Sequence, residues 1–139
     1  MFRAVLDANQ FVSATLHSLG NPAKVLSAWR SGRFELVISR PIVEEIRRVL
    51  NYPRLARIHK KRSGEIHEFL DDLTVLAFVS PGKLKLRVVQ GDPSDDIYVI
   101  AAVEAEARFI VTGDRDLLGI EEYRGIRLVT AREFRHELG

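Results

Sequence analysis

Short apolar runs alternate along this chain with stretches of helical periodicity, and that alternation limits the fold more than any other feature. The runs are AVLDA from Ala4, FELVIS from Phe34, VLAFVS from Val75, FIVTG from Phe109 and IRLVT from Ile126. Each has the length of a strand and is nearly continuously apolar, the mark of a strand covered on both faces. Between them, NPAKVLSAWRSG, SRPIVEEIRRVLNYP, SGEIHEFLDDL and PSDDIYVIAAVEAEA carry caps or breakers where a helix begins or stops, and TAREFRHEL closes the chain as a last helix. Strand alternating with helix predicts an α/β domain with a mostly parallel five-stranded sheet between helical layers. No repeat, low-complexity tract or Ser/Gly linker divides the 139 residues, so one domain over 1–139 is expected. The most loop-like stretch, PGKLKLRVVQGDPSDD from Pro81 to Asp96, has room for a short extra strand.

Composition enters by exclusion. There is no Cys, so a metal would have to be held by oxygen or by one of the four His. No apolar run approaches the roughly 20 residues of a membrane span. The opening MFRAVLDAN goes straight into strand-like sequence without the pattern of a secretory leader, so a cytoplasmic protein is expected. Net charge is only +2, but the basic side chains are mostly Arg, and several fall in RLARIHKKR from Arg54 to Arg62. Such a cluster suits phosphate contacts, and a solvated helix face explains it equally well.

In sheets of this kind, ligands sit beyond the carboxyl ends of the strands, where the strand order reverses. Asp7 stands at the end of the first apolar run and Asp114 just past the fourth; if those strands are neighbours, the two carboxylates converge. In the helix after the second strand, Ile42, Ile46, Val49 and Leu50 form a stripe that Glu45 flanks, while Glu44 points the other way. Asp96 prolongs a stripe through Ile100, Val103 and Ala107, so it is taken as an inward carboxylate. Asp95 lines up with Glu106 on a wetter side, and with Asp92 it is assigned to the turn and cap. Four acids gathered at one sheet edge would form a dense negative charge that divalent cations make tolerable; hard oxygen ligands fit Mg²⁺ or Mn²⁺ and not zinc. The chemistry implied is metal-assisted phosphodiester hydrolysis.

With these residues in order, the chain resembles the PIN-domain family, in particular the VapC-like toxins of type II toxin–antitoxin modules. The resemblance runs from VLDAN through SRPIVEEIRRVL and DPSDDIYVIAAVEA to FIVTGDRDLL and IRLVTAREF. It implies a three-layer α/β/α fold of strand order 3-2-1-4-5 and a Mg²⁺/Mn²⁺-dependent ribonuclease acting on RNA. It also implies a homodimer and a small antitoxin that covers the acidic site. Carried over by position, Asp7, Glu45, Asp96 and Asp114 are similar to the family's four acids, with Asp116 as an auxiliary metal ligand. Asn9, Ser13 and Thr112 resemble its supporting polar residues. Ala8 and Gly113 depart from the family's more frequent Thr and Arg, and DPSDD offers two adjacent acids where the family pattern needs one.

Arg40, just past the second strand, is expected to hold RNA. A haloacid-dehalogenase-type phosphatase would need D-x-D where Asn9 stands, and a receiver domain a late Lys, yet no Lys follows Lys85. The remaining alternative is a PIN-like module that grips RNA or a protein without cutting.

Overall fold

Strands β1 (Arg3–Leu6), β2 (Glu35–Ser39), β3 (Phe78–Ser80), β4 (Phe109–Val111), β5 (Glu122–Tyr123) and β6 (Ile126–Val129) form one sheet in the order β3-β2-β1-β4-β6-β5. This is a computed structural model, and it describes residues 1–59 and 63–139. All pairings are parallel except the β5–β6 hairpin. At the centre, Val5 lies opposite Val37 on one side and Ile110 on the other. The first and fourth strands are therefore neighbours, as convergence of Asp7 and Asp114 requires.

The sheet has six strands, not the five expected. The fifth predicted run is β6, and β5 is a two-residue edge strand that turns back onto it through Arg124 and Gly125, both at positive φ (50° and 83°). Such a turn is usually written Asn-Gly or Asp-Gly, and Arg-Gly gives a weaker signal. The extra strand allowed for between Pro81 and Asp96 is absent; residues 81–89 are irregular. The third run also begins later than its apolar pattern suggests. Val75 and Leu76 end a helix and are largely exposed, and the strand starts at Phe78.

Eight helices are described: α1 (Ala8–Leu16), α2 (Asn21–Arg30), α3 (Arg40–Leu50), α4 (Pro53–His59), α5 (Ser63–Leu76), α6 (Asp96–Glu104), α7 (Arg115–Leu118) and α8 (Ala131–Leu138). Three of them, α1, α4 and α7, are additions to the predicted set. Consecutive burial of Ala4, Val5 and Leu6 requires cover on both faces of the sheet. Right-handed crossovers from β1 to β2 and β2 to β3 put α1 to α5 on one face, and the return to β4 puts α6 on the other. At the amino end of the sheet Phe34, Phe109 and Phe2 meet Phe134 of α8 edge to face, at centroid separations of 5.0, 5.4 and 6.0 Å. Such pairs contribute about 0.5–1.5 kcal/mol each beyond their burial.

The segment 81–92 is fastened along α6 at both ends. Glu104 accepts the Ser80 hydroxyl and the N–H groups of Gly82, Lys83 and Leu84 (2.7, 2.9 and 3.0 Å). Burial raises the pKa of this carboxyl, but those four donors outweigh it and leave it below the usual range. Asp96 accepts from Val88 and Val89 (3.0 and 2.8 Å). No described helix is long and apolar enough to cross a membrane. In the basic stretch, Arg54 and Arg57 are exposed on α4, while Lys60, Lys61 and Arg62 lie outside the described residues.

Candidate metal-binding active site

Strand β1 ends at Leu6, and the next N–H, of Asp7, still joins the sheet by donating to Val111 (3.1 Å). Asp7 is thus fixed at the carboxyl edge with its side chain only 3% exposed. Its carboxylate starts α1 by accepting the Gln10 N–H (3.2 Å), and its other oxygen accepts the hydroxyl of Thr112. Thr112 is fully buried one residue past β4, and its oxygen in turn accepts the Asp114 N–H (3.0 Å). Asp114 caps α7 through the Leu117 N–H (3.3 Å). One threonine therefore joins the ends of the two central strands and holds both aspartates. Burial raises the pKa of Asp7, the Thr112 and Gln10 hydrogen bonds pull it back, and the charge of Asp114 pushes it up again. The net displacement is upward.

The third carboxylate at this place is Asp95. It closes the 3₁₀ turn Pro93–Asp95 ahead of α6, half-buried. Its pKa is pushed up to about 7, first by burial, then by a hydrogen bond with Asp114, then by the charges of Asp114, Asp92 and Asp7. A hydrogen bond between two carboxyl groups requires one proton between them.

Asp96, the acid chosen from the sequence, is buried too, but its carboxylate is committed to Val88 and Val89. The difference from the phase read in the sequence has a physical reason. The residues most buried in α6 are Tyr98, Val99, Ala101 and Ala102, while Ile100 and Val103 are half-buried and Ala107 lies beyond the helix. A helix apolar nearly all round has no phase to read, and 100° steps cannot be carried back through a 3₁₀ turn.

The neighbouring glutamates of α3 separate as their helical phase requires. Glu44 has a side chain 59% exposed and pairs with Arg40 (3.2 Å); Glu45 is 31% exposed and is gripped by both ends of the Arg48 fork (3.1 and 2.5 Å). Glu45 also belongs to the electrostatics of the acidic edge through Tyr98. Burial above all, with the charges of Asp7, Glu45 and Asp95, raises the Tyr98 phenol well above its ordinary range, against the Ala8 N–H that it accepts (3.1 Å). Tyr98 stands beside the candidate site and sequence reasoning missed it; its signal was the one aromatic side chain of α6.

Arg40 does not join the acids. It is exposed on the flank of α3 that carries Glu44 and Arg47 over Thr74 and Val79. Asn9 is exposed in the first turn of α1, where its N–H helps hold Asp7, and Ser13 is half-buried one turn on. Asp116 is exposed and rests on Gly91, its carboxyl 2.6 Å from where a Cβ would be. Buried Gln10 adds an amide oxygen that has no partner among the described residues.

A donor set of oxygens suits a hard divalent ion. Among the described residues no three acidic or imidazole groups already stand in range of one ion. Mg²⁺ commonly takes one or two carboxylates and keeps several waters, so the set fits without a closed cage. Burial and the neighbouring carboxylates favour a proton on Asp95, and an ion's charge would relieve the same repulsion.

Comparison with known proteins follows from this geometry. A family model described as PIN domain matches residues 3–116. An uncharacterized protein of Methanocaldococcus jannaschii is 28% identical over 123 residues, covering 86% of this chain and 76% of that one. Among solved structures, a chain of VapBC2 from Rickettsia felis, bound to a DNA fragment from its promoter, superposes with a TM-score of 0.59 at 14% identity, over 91% of this chain and 96% of that one. The PIN domain of human SMG5 gives a TM-score of 0.47 at 14% identity over 99% of each chain.

Proposed function

The chain belongs to the PIN-domain family, whose members are generally nucleases, and from that membership we propose that it is a Mg²⁺- or Mn²⁺-dependent endoribonuclease, the cytoplasmic toxin of a toxin–antitoxin pair. The observation that carries this reading is the convergence of Asp7, Asp95 and Asp114, from three separate segments, with a carboxyl pushed up to about 7 among them. Those three carboxylates would hold the ion or its waters, with Glu45 at the margin and Asp116 as an auxiliary. When bound, a divalent ion polarises the phosphodiester and lowers the pKa of water to supply a nucleophile at neutral pH. The chain's own side chains have distinct parts. Thr112 keeps Asp7 and Asp114 in register, and Tyr98 fixes the first turn of α1 and so the direction of Asp7. Asp95 holds a proton near neutral pH and gives it up when positive charge arrives. Asn9 and Ser13 line the approach to the phosphate. The likeness to a VapBC2 chain supports a small antitoxin partner, and a homodimer completes the proposal.

The test is cleavage of a labelled RNA by the purified protein, expected to vanish with a chelator and return with excess Mn²⁺. Glu45→Gln is expected to lower single-turnover cleavage at least about a hundredfold, some 2.7 kcal/mol, and Glu44→Gln to leave it nearly unchanged. RNA bound but uncut under every metal condition would replace this reading with a non-catalytic PIN-like module.

A further inference from the structure

We propose that the cleft between α2 and α8 is a second RNA site, one that takes the phosphodiester backbone outside the acidic site. The cleft encloses about 600 Å³, within the ~300–1,000 Å³ of ordinary ligand sites. From α8 come Arg132, Arg135 and His136, at spacings that share one helix face; opposite them stand Lys24 of α2 and Arg33 from the turn before β2. Among the described residues no Asp or Glu side chain pairs with any of these five, although Arg33 donates to the oxygen of the terminal residue Gly139 (3.0 Å). The two acids of α8 are engaged elsewhere, Glu133 in a capping box with Thr130 and Glu137 with Arg127 at 2.6 Å. Positive charge in excess of the anions beside it opposes folding by self-repulsion, and an anionic ligand relieves it.

The lining decides which anion. Guanidinium forks match phosphate in two-bond geometry, and Ser27, Ser31 and Asn21 supply the hydroxyl and amide contacts that backbone recognition uses. Part of the cleft is already set: Arg33 donates to the carbonyls of Leu138 and Gly139, and Arg135 to Asn21 Oδ1 (2.7 Å). Lys24 and Arg132 have no side-chain partner among the described residues and remain for the ligand. An acidic peptide would satisfy the charge, but protein interfaces anchor on aromatic or large apolar side chains. Here the apolar lining is Ala28 and Leu138.

Position sets the length of RNA required. The cleft runs along α8 from Arg132, just past β6, to Arg33, which precedes β2, so its Arg33 end lies a strand length, about 15 Å, from Asp7 and Asp114, which follow β1 and β4. At about 3.4 Å per stacked nucleotide, an RNA of about two nucleotides falls well short of that span and one of about 20 covers it. The inference rests on RNA as the substrate.

The experiment measures binding of both RNAs by fluorescence anisotropy in chelator, against salt, for the wild type and for Lys24→Gln/Arg132→Gln, with thermal melts as the fold control. For the long RNA the double variant is expected to bind at least about fivefold more weakly, with a log–log salt slope shallower by about 1.4, two contacts at about 0.7 each. Affinity for the short RNA, and its Mn²⁺-dependent cleavage, are expected to stay the same. Unchanged affinity and slope for the long RNA would overturn the proposal, as would loss of poly-glutamate binding without loss of RNA binding. If the wild type cuts nothing yet the double variant still loses the long RNA, the nuclease reading fails and this site stands.

Discussion

Asp95 and Asp96 are adjacent and carry the same side chain, yet one borders the other acids while the other fastens a loop. Asp96→Ala is expected to leave the Val88 and Val89 N–H groups without their acceptor, costing about 2–3 kcal/mol in urea denaturation while Mn²⁺ affinity survives. Thr112→Val keeps the shape of a buried side chain and removes a donor to Asp7 and an acceptor for Asp114. It is expected to cost about 1–3 kcal/mol and to weaken Mn²⁺ binding, both measurable by calorimetry. At this scale burial is legible in the sequence where an element has one clear phase. The stripe of α3 separates Glu44 from Glu45, because Ile42 and Ile46 are wholly buried and leave one orientation. The nearly uniform α6 offers no such stripe, so the choice between neighbouring aspartates depends on tertiary contacts.

Elements are legible in the sequence to the extent that their signals are local. The five principal strands and five of the helices follow from periodicity and caps; α1 is overlooked because its N-cap, Asp7, also ends a strand and reads as a site residue. The strap 81–92 has no periodicity to read, since two carboxylates of α6 determine its path. Its ends are held independently, so they should open independently. Glu104→Ala is expected to speed hydrogen exchange at Gly82, Lys83 and Leu84 and to spare Val88 and Val89, and Asp96→Ala to do the reverse. Opening of both ends in either variant would make the strap a single unit.

For the whole molecule, acids gather at the carboxyl edge of the sheet and cations in the cleft between α2 and α8, a separation that a net charge of +2 conceals. The acidic edge makes stability depend on pH in an unusual direction. Folding raises the Asp95 pKa from 3.8 to about 7, so the metal-free fold binds an extra proton between those values. That contribution is full below about 3.8 and is lost as pH rises through about 7. The lowered carboxyls of Glu104 and Glu133 act the other way, but below about 4.5, leaving the upper window to the acidic edge. The metal-free melting temperature is therefore expected to fall between pH 5 and about 8, and saturating Mn²⁺ to remove the fall by taking the proton's place. The central claim is that Asp7, Asp95 and Asp114 hold the ion that drives RNA cleavage, and its most direct test is single-turnover cleavage by Asp95→Asn and Asp96→Asn across a Mn²⁺ titration, with melts confirming both folds. The prediction is a loss of at least about a hundredfold in Asp95→Asn, with weaker Mn²⁺ dependence, and near wild-type turnover in Asp96→Asn. Full activity in Asp95→Asn with loss in Asp96→Asn, or cleavage indifferent to Mn²⁺ in the wild type, would contradict it.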